Sequence, residues 1–111
     1  MKYLLQVRFH AGALLPSGDQ ERDAARAQYL RIRQDPRVLD AHQLQPAGTA
    51  TTVRVNAGRV EHTTDLPLAE TDALDGYYLL DCPHLAAAID FAAQIPAAAT
   101  GGTIEIRPVL G

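Results

Sequence analysis

Two acidic side chains, Asp65 and Glu70, stand in the segment Asp65-Leu66-Pro67-Leu68-Ala69-Glu70-Thr71. Two carboxylates on one proline-containing loop can divide acid–base work between them. The alternative is structural: Asp65 caps the turn and Glu70 accepts from backbone amides across it. The histidines are His10, His42, His62 and His84. None has a partner at the spacing of a helical metal pair, and no His-Glu-x-x-His run occurs, so no metal site is expected. His42 and His62 fall on candidate strands, where an imidazole can titrate near neutral pH. The candidate catalytic set is therefore Asp65, Glu70, His42 and His62.

A second set is suited to holding a ligand. In Thr103-Ile104-Glu105-Ile106-Arg107 the charged residues alternate with isoleucines, which puts Glu105 and Arg107 on one face of a strand. An arginine oriented by a glutamate can hold an anion; the competing reading is a salt-bridged structural pair. Arg8 and Arg54 complete the candidate ligand-binding set of Arg8, Arg54, Glu105 and Arg107. Cys82 and His84 look like a thiol–imidazole pair, but side chains two apart at a helix start diverge. Cys82 is expected to fill the N-cap position instead. Gly101-Gly102 lacks phosphate-loop spacing and reads as a turn.

Composition narrows the possibilities. The chain has 111 residues and a net charge of -3, with Lys2 as its only lysine. One domain spanning 1–111 is expected. No basic stripe is present, so nucleic acid is not an expected partner. The single cysteine excludes an internal disulfide and a cysteine-based zinc site. No apolar run reaches the roughly 18 residues of a membrane span. The first eight residues are too short and too soon interrupted for a signal peptide, so a cytoplasmic location is expected. No cofactor motif is found.

The elements that must position these residues follow from periodicity. Tyr3, Leu5, Val7 and Phe9 alternate with Leu4, Gln6 and Arg8, a strand with one apolar face. Asp19 to Gln34 reads as a helix with a thin apolar stripe (Ala25, Tyr29, Ile32), stopped at Asp35-Pro36. Val38–Leu44 and Thr49–Val55 read as strands. Asn56-Ala57-Gly58 turns a hairpin into Arg59–Thr64. Leu66 to Asp75 reads as a loop and Tyr77–Asp81 as a short strand. Leu85, Ala88, Ile89, Ala92 and Ile95 mark one face of a second helix, begun near Pro83 and ended by Pro96. Thr103–Val109 is the last strand.

This order predicts an α+β fold: a ferredoxin-like antiparallel sheet with two helices on one face. The apolar strand faces belong under the helices. Leu4, Gln6, Arg8, Glu105 and Arg107 are then left on the other face, where an Arg8–Glu105 or Arg107–Glu105 pair is expected to satisfy the charges.

The segment 65–71, Gly76-Tyr77-Tyr78 and Glu105-Ile106-Arg107-Pro108 together resemble the YCII-related family, in its DGPF branch. Ala50-Thr51-Thr52-Val53-Arg54 resembles the strand before the motif in that branch. The resemblance implies a dimeric α+β barrel, two sheets meeting face to face in a homodimer. It also implies a small-molecule-binding, regulatory role, since such proteins often accompany sigma-factor genes. The alternative is a small lyase- or dehalogenase-like enzyme using an acid and a histidine at the barrel mouth. Three departures bear on this. Leu66 and Leu68 replace the usual Gly and Phe, and Asp72 replaces a common Lys. The first helix also lacks the histidine that enzymes of the wider group use there, which favours the binding reading.

Overall fold

The alternation of the first strand sets the architecture. In the computed structural model, β1 (Lys2–His10) turns Tyr3, Leu5 and Val7 inward, and Leu5 is fully buried. The residues described are 1–10, 19–45, 47–63, 72–99 and 101–111. The remaining elements are α1 (Asp19–Arg33), β2 (Val38–Gln43), β3 (Thr52–Asn56), β4 (Arg59–Thr63), β5 (Asp72–Asp81), α2 (Leu85–Ala92), α3 (Pro96–Ala99) and β6 (Gly102–Pro108). Strands pair in the order β2-β5-β1-β6, all antiparallel, and β3 with β4 forms a separate ribbon. The four-strand order and the two βαβ crossovers give the expected ferredoxin-like α+β fold.

One apolar layer joins sheet and helices. Tyr78 and Leu80 of β5, Ala41 of β2 and Ile32 of α1 are buried in one cluster with the β1 residues and with Ala88, Phe91 and Ala92 of α2. Tyr78 packs edge-on to Phe91, with ring centroids 5.6 Å apart, and tilted against Tyr29 at 5.7 Å. Such aromatic contacts add stability beyond the area they bury. Ile104 and Ile106 of β6 pack partly buried against the same core.

Several local expectations are corrected. Residues 47–49 form a 3-10 turn, so the third strand starts at Thr52. Strand β5 begins at Asp72, because pairing with β1 continues to His10↔Asp72. Helix α2 ends at Ala92, and Pro96 opens α3 instead of only closing its predecessor. The buried face of α2 is rotated: Phe91 is buried, whereas Leu85 and Ile89 are each 51% exposed. The N-cap is His84, not Cys82. The Ala87 N–H donates to Nδ1 of His84 at 3.2 Å, supplying one of the bonds a helix start lacks. Cys82 lies buried just before the cap.

The turn between β3 and β4 is built on Ala57 (φ 51°) and Gly58 (φ 77°). Positive φ at both central residues suits a two-residue hairpin whose twist matches its strands. Except for half-buried Thr52, every residue of this ribbon is exposed. Residues 11–18, 46, 64–71 and 100 are outside the description. Asp65, Glu70 and the loop expectation for 66–71 therefore fall there.

Candidate functional site

Strand registry distributes the candidate residues over the two faces of the sheet. On the face away from the helices, His42, Tyr77, Gln6 and Glu105 occupy one row across all four strands. The next row is Asp40, Leu79, Leu4 and Arg107. Arg8 follows beyond Gln6, flanked by Leu74 and Thr103. This reproduces the expected second face and adds His42 to it. The other two candidates lie elsewhere: His62 and Arg54 belong to the ribbon, opposite Val53 and Glu61 respectively.

The expected charge pairs on this face do not form among the described residues. Arg8 Nη2 donates to Oε1 of Gln6 at 3.0 Å, while its buried Nε has no partner. Glu105 and Arg107 make no ion pair with each other; both side chains are exposed. They alternate with inward isoleucines, and among the described residues nothing draws their charged ends together.

A hydrogen-bonded group does form around His42. The Tyr77 hydroxyl donates to Oδ2 of Asp40 at 2.7 Å, and His42 Nε2 lies 3.0 Å from Oδ1 of the same carboxylate. Tyr77 and His42 are directly opposite, with ring centroids 5.9 Å apart. The hydroxyl bond, aided by His42, holds the Asp40 carboxyl below its ordinary pKa. The same bond raises the Tyr77 phenol, which would lose its proton beside an anion. An imidazole, a carboxylate and a phenol in contact can relay a proton, and here Asp40 and His42 are exposed and Tyr77 is half-buried on the open face.

The helix-covered face carries a cleft. It measures about 630 Å³, within the range of small-molecule sites. Its walls include Val7 and Phe9 of β1, Ala25, Arg26 and Tyr29 of α1, Asp75 of β5, and Ile95 to Ala97. The thin stripe of α1 explains the space. Ile32 is its only buried side chain among those described, and Ala25 and Tyr29, which line the cleft, are half-buried.

A register shift delivers Asp75 to this cleft. Val7 pairs with Gly76 and Arg8 with Leu74, leaving Asp75 as an extra residue on β5. Such a bulge breaks alternation and re-aims a side chain. Gly76 follows for steric reasons: a Cβ there would stand 2.7 Å from the His42 carbonyl oxygen. Asp75 is half-buried, and desolvation alone raises its carboxyl pKa. Tyr29 and Tyr78, also in the lining, have buried hydroxyls with no hydrogen-bond partner. Burial raises both phenols. An unpaired polar group of this kind costs roughly 1–3 kcal/mol.

Sequence reasoning missed Asp75, Tyr29, Tyr78, Asp40 and Tyr77. The available signals were the thin stripe of α1 and the glycine after Asp75. Among the described residues, no group of three or more His, Cys, Asp or Glu is placed to hold a metal ion, and no helix is long and apolar enough to cross a membrane.

Comparison with known proteins agrees with the resemblance in the motifs. A protein of Rhizobium meliloti (strain 1021), named only as uncharacterised, is 41% identical over 69 residues, which is 60% of this chain and 55% of that protein. The chain thus matches little more than half the length of that relative. The model of the YCII-related domain matches residues 1–111, so the chain belongs to the YCII-related family.

Proposed function

We propose that this YCII-related protein is a small-molecule-binding homodimer of the DGPF type. It acts in the cytoplasm as a single domain, with its ligand in the cleft beneath α1. The observation that carries the reading is the cleft itself, into which a β-bulge turns a desolvated carboxyl that has no charge partner among the described residues. Proteins commonly accept such a local cost where a ligand later offsets it. The open sheet face, with exposed Glu105 and Arg107 and the orphan Arg8 Nε, meets its counterpart in the second protomer. Arg8, Glu105 and Arg107 find their charge partners there.

Two measurements test this. Static light scattering at micromolar concentration should give twice the monomer mass; a monomer overturns the dimer. Amide shifts on titrating a fragment library should cluster on α1, Asp75–Gly76 and residues 95–97. Shifts confined to the open face, or none at all, overturn the cleft. Ala25→Phe, which fills the cleft from α1, should suppress these shifts.

A second reading is favoured by the Asp40–His42–Tyr77 contacts: a small lyase- or dehalogenase-like enzyme with His42 as base. Its acid would be Asp40 rather than Asp65 or Glu70. Turnover in a substrate screen that is lost in His42→Asn would establish it over the binding reading.

A further inference from the structure

The lining of the cleft carries its own charge pattern. Two acids, Asp23 and Asp75, stand against one base, Arg26. Asp23 and Arg26 lie on the exposed side of α1, where solvent screens them. Asp75 is deeper, and its only resolved perturbation is desolvation. Among the described residues, no cation or hydrogen-bond donor offsets the loss of water there, although Arg26 and Tyr29 line the same space. Around it stand the rings of Phe9, Tyr29 and Tyr78, and the apolar Val7, Ile95 and Ala97.

Each class of ligand meets this surface differently. An anion would face an unpaired carboxylate across a poorly screened space, which disfavours it. A neutral molecule would fill the apolar volume but further desolvate Asp75 with no counter-charge. A cation supplies the missing charge, and aromatic faces attract it as well. An ammonium also offers N–H donors, which the unpartnered hydroxyls of Tyr29 and Tyr78 can accept.

We infer that the cleft binds a small organic amine, a primary or secondary ammonium on an apolar body about one ring in size, with Asp75 as its counter-ion. The inference rests on the cleft being the binding site proposed above. Three probes of one shape separate the two ideas: benzylamine, benzyl alcohol and benzoate, each titrated into the ¹⁵N-labelled full chain at neutral pH and constant ionic strength.

Benzylamine should shift the amides of Arg26, Gly76 and Ile95 with at least about tenfold higher affinity than benzyl alcohol, a charge-assisted difference of about 1.4 kcal/mol. Benzoate should bind weakest. Asp75→Asn should abolish the preference for the amine while leaving the alcohol's binding in place. Benzyl alcohol or benzoate binding as tightly as the amine overturns the charge assignment and leaves the cleft standing. The same holds if Asp75→Asn retains the full preference. If no probe shifts the cleft amides, the binding site itself falls, and the inference with it.

Discussion

The two helices meet the same sheet in different ways. Helix α2 is a run of alanines closed by Phe91, and Ala88, Phe91 and Ala92 lie flush on the strands. Helix α1 is longer, at 15 residues, yet only Ile32 of its described side chains is buried. Small residues suit close approach of a helix to a sheet, and Phe91, 1% exposed, puts a ring into the core on this side. The thin stripe of α1, with Ala25 between Asp23 and Arg26, holds the helix over space it does not occupy. Both helices anchor at one point, where Tyr78 touches both Tyr29 and Phe91. Close burial is concentrated under α2 and the open cleft under α1.

The sharpest way to break that contrast is to alter volume on each side. Phe91→Ala should cost about 3–5 kcal/mol in urea denaturation, since it empties a buried aromatic site. Ala25→Leu, placed in the cleft, should stay within about 1 kcal/mol of the parent because open space receives it. Equal losses would mean that the α1 side is as tightly packed as the α2 side.

Asp35 tests how α1 is held at its end. Its carboxylate accepts from Nε and Nη2 of Arg37 at 3.0 and 2.8 Å, and from the Arg37 backbone N–H at 2.9 Å. Asp35→Ala should cost about 1–2 kcal/mol, discounted because the pair is partly exposed. The bond to Arg37 lowers the Asp35 pKa. The contribution is therefore fully present above the unfolded carboxyl's pKa and lost as pH falls through the lowered folded value. The acid limb of a stability–pH curve should flatten in the variant, and an unchanged limb would contradict this assignment.

Smaller effects are expected at two further positions. Ala57→Gly should stabilise by about 0.5–1 kcal/mol, because it removes the steric cost of positive φ at the hairpin turn. Asp75→Asn should raise the melting temperature slightly at neutral pH. The folded pKa of Asp75 is raised, so its contribution is most favourable below the unfolded value and is lost as pH climbs through the folded one. A fall in melting temperature would show that Asp75 supports the fold rather than straining it. Thermal melts across pH 3 to 8 check both the shift and its sign.

Much of this fold was legible because strand alternation is local. Tyr3, Leu5 and Val7 faced the core, and Gln6, Arg8, Glu105 and Arg107 faced away, as their spacing required. Helical spacing said less. It gave α2 an apolar arc without deciding which part met the sheet, and Phe91 turned Leu85 and Ile89 outward. The His84 cap was hidden because a cap is a matter of backbone geometry as well as residue type. In the sequence Asp75 looks like part of a loop, because the preceding acids and proline are irregular, whereas pairing with β1 extends the strand through it.

By itself, then, the sequence determined the order of elements, the two faces of the sheet and the family, since each is written in neighbouring residues. The tertiary structure decided the sites. The Tyr77–Asp40 bond joins residues 37 positions apart. The cleft needs α1, the bulge before Gly76, and Ile95 with the start of α3 in one place. Neither follows from local pattern, because each depends on how far apart the packed elements finally rest and on a one-residue slip in their registry.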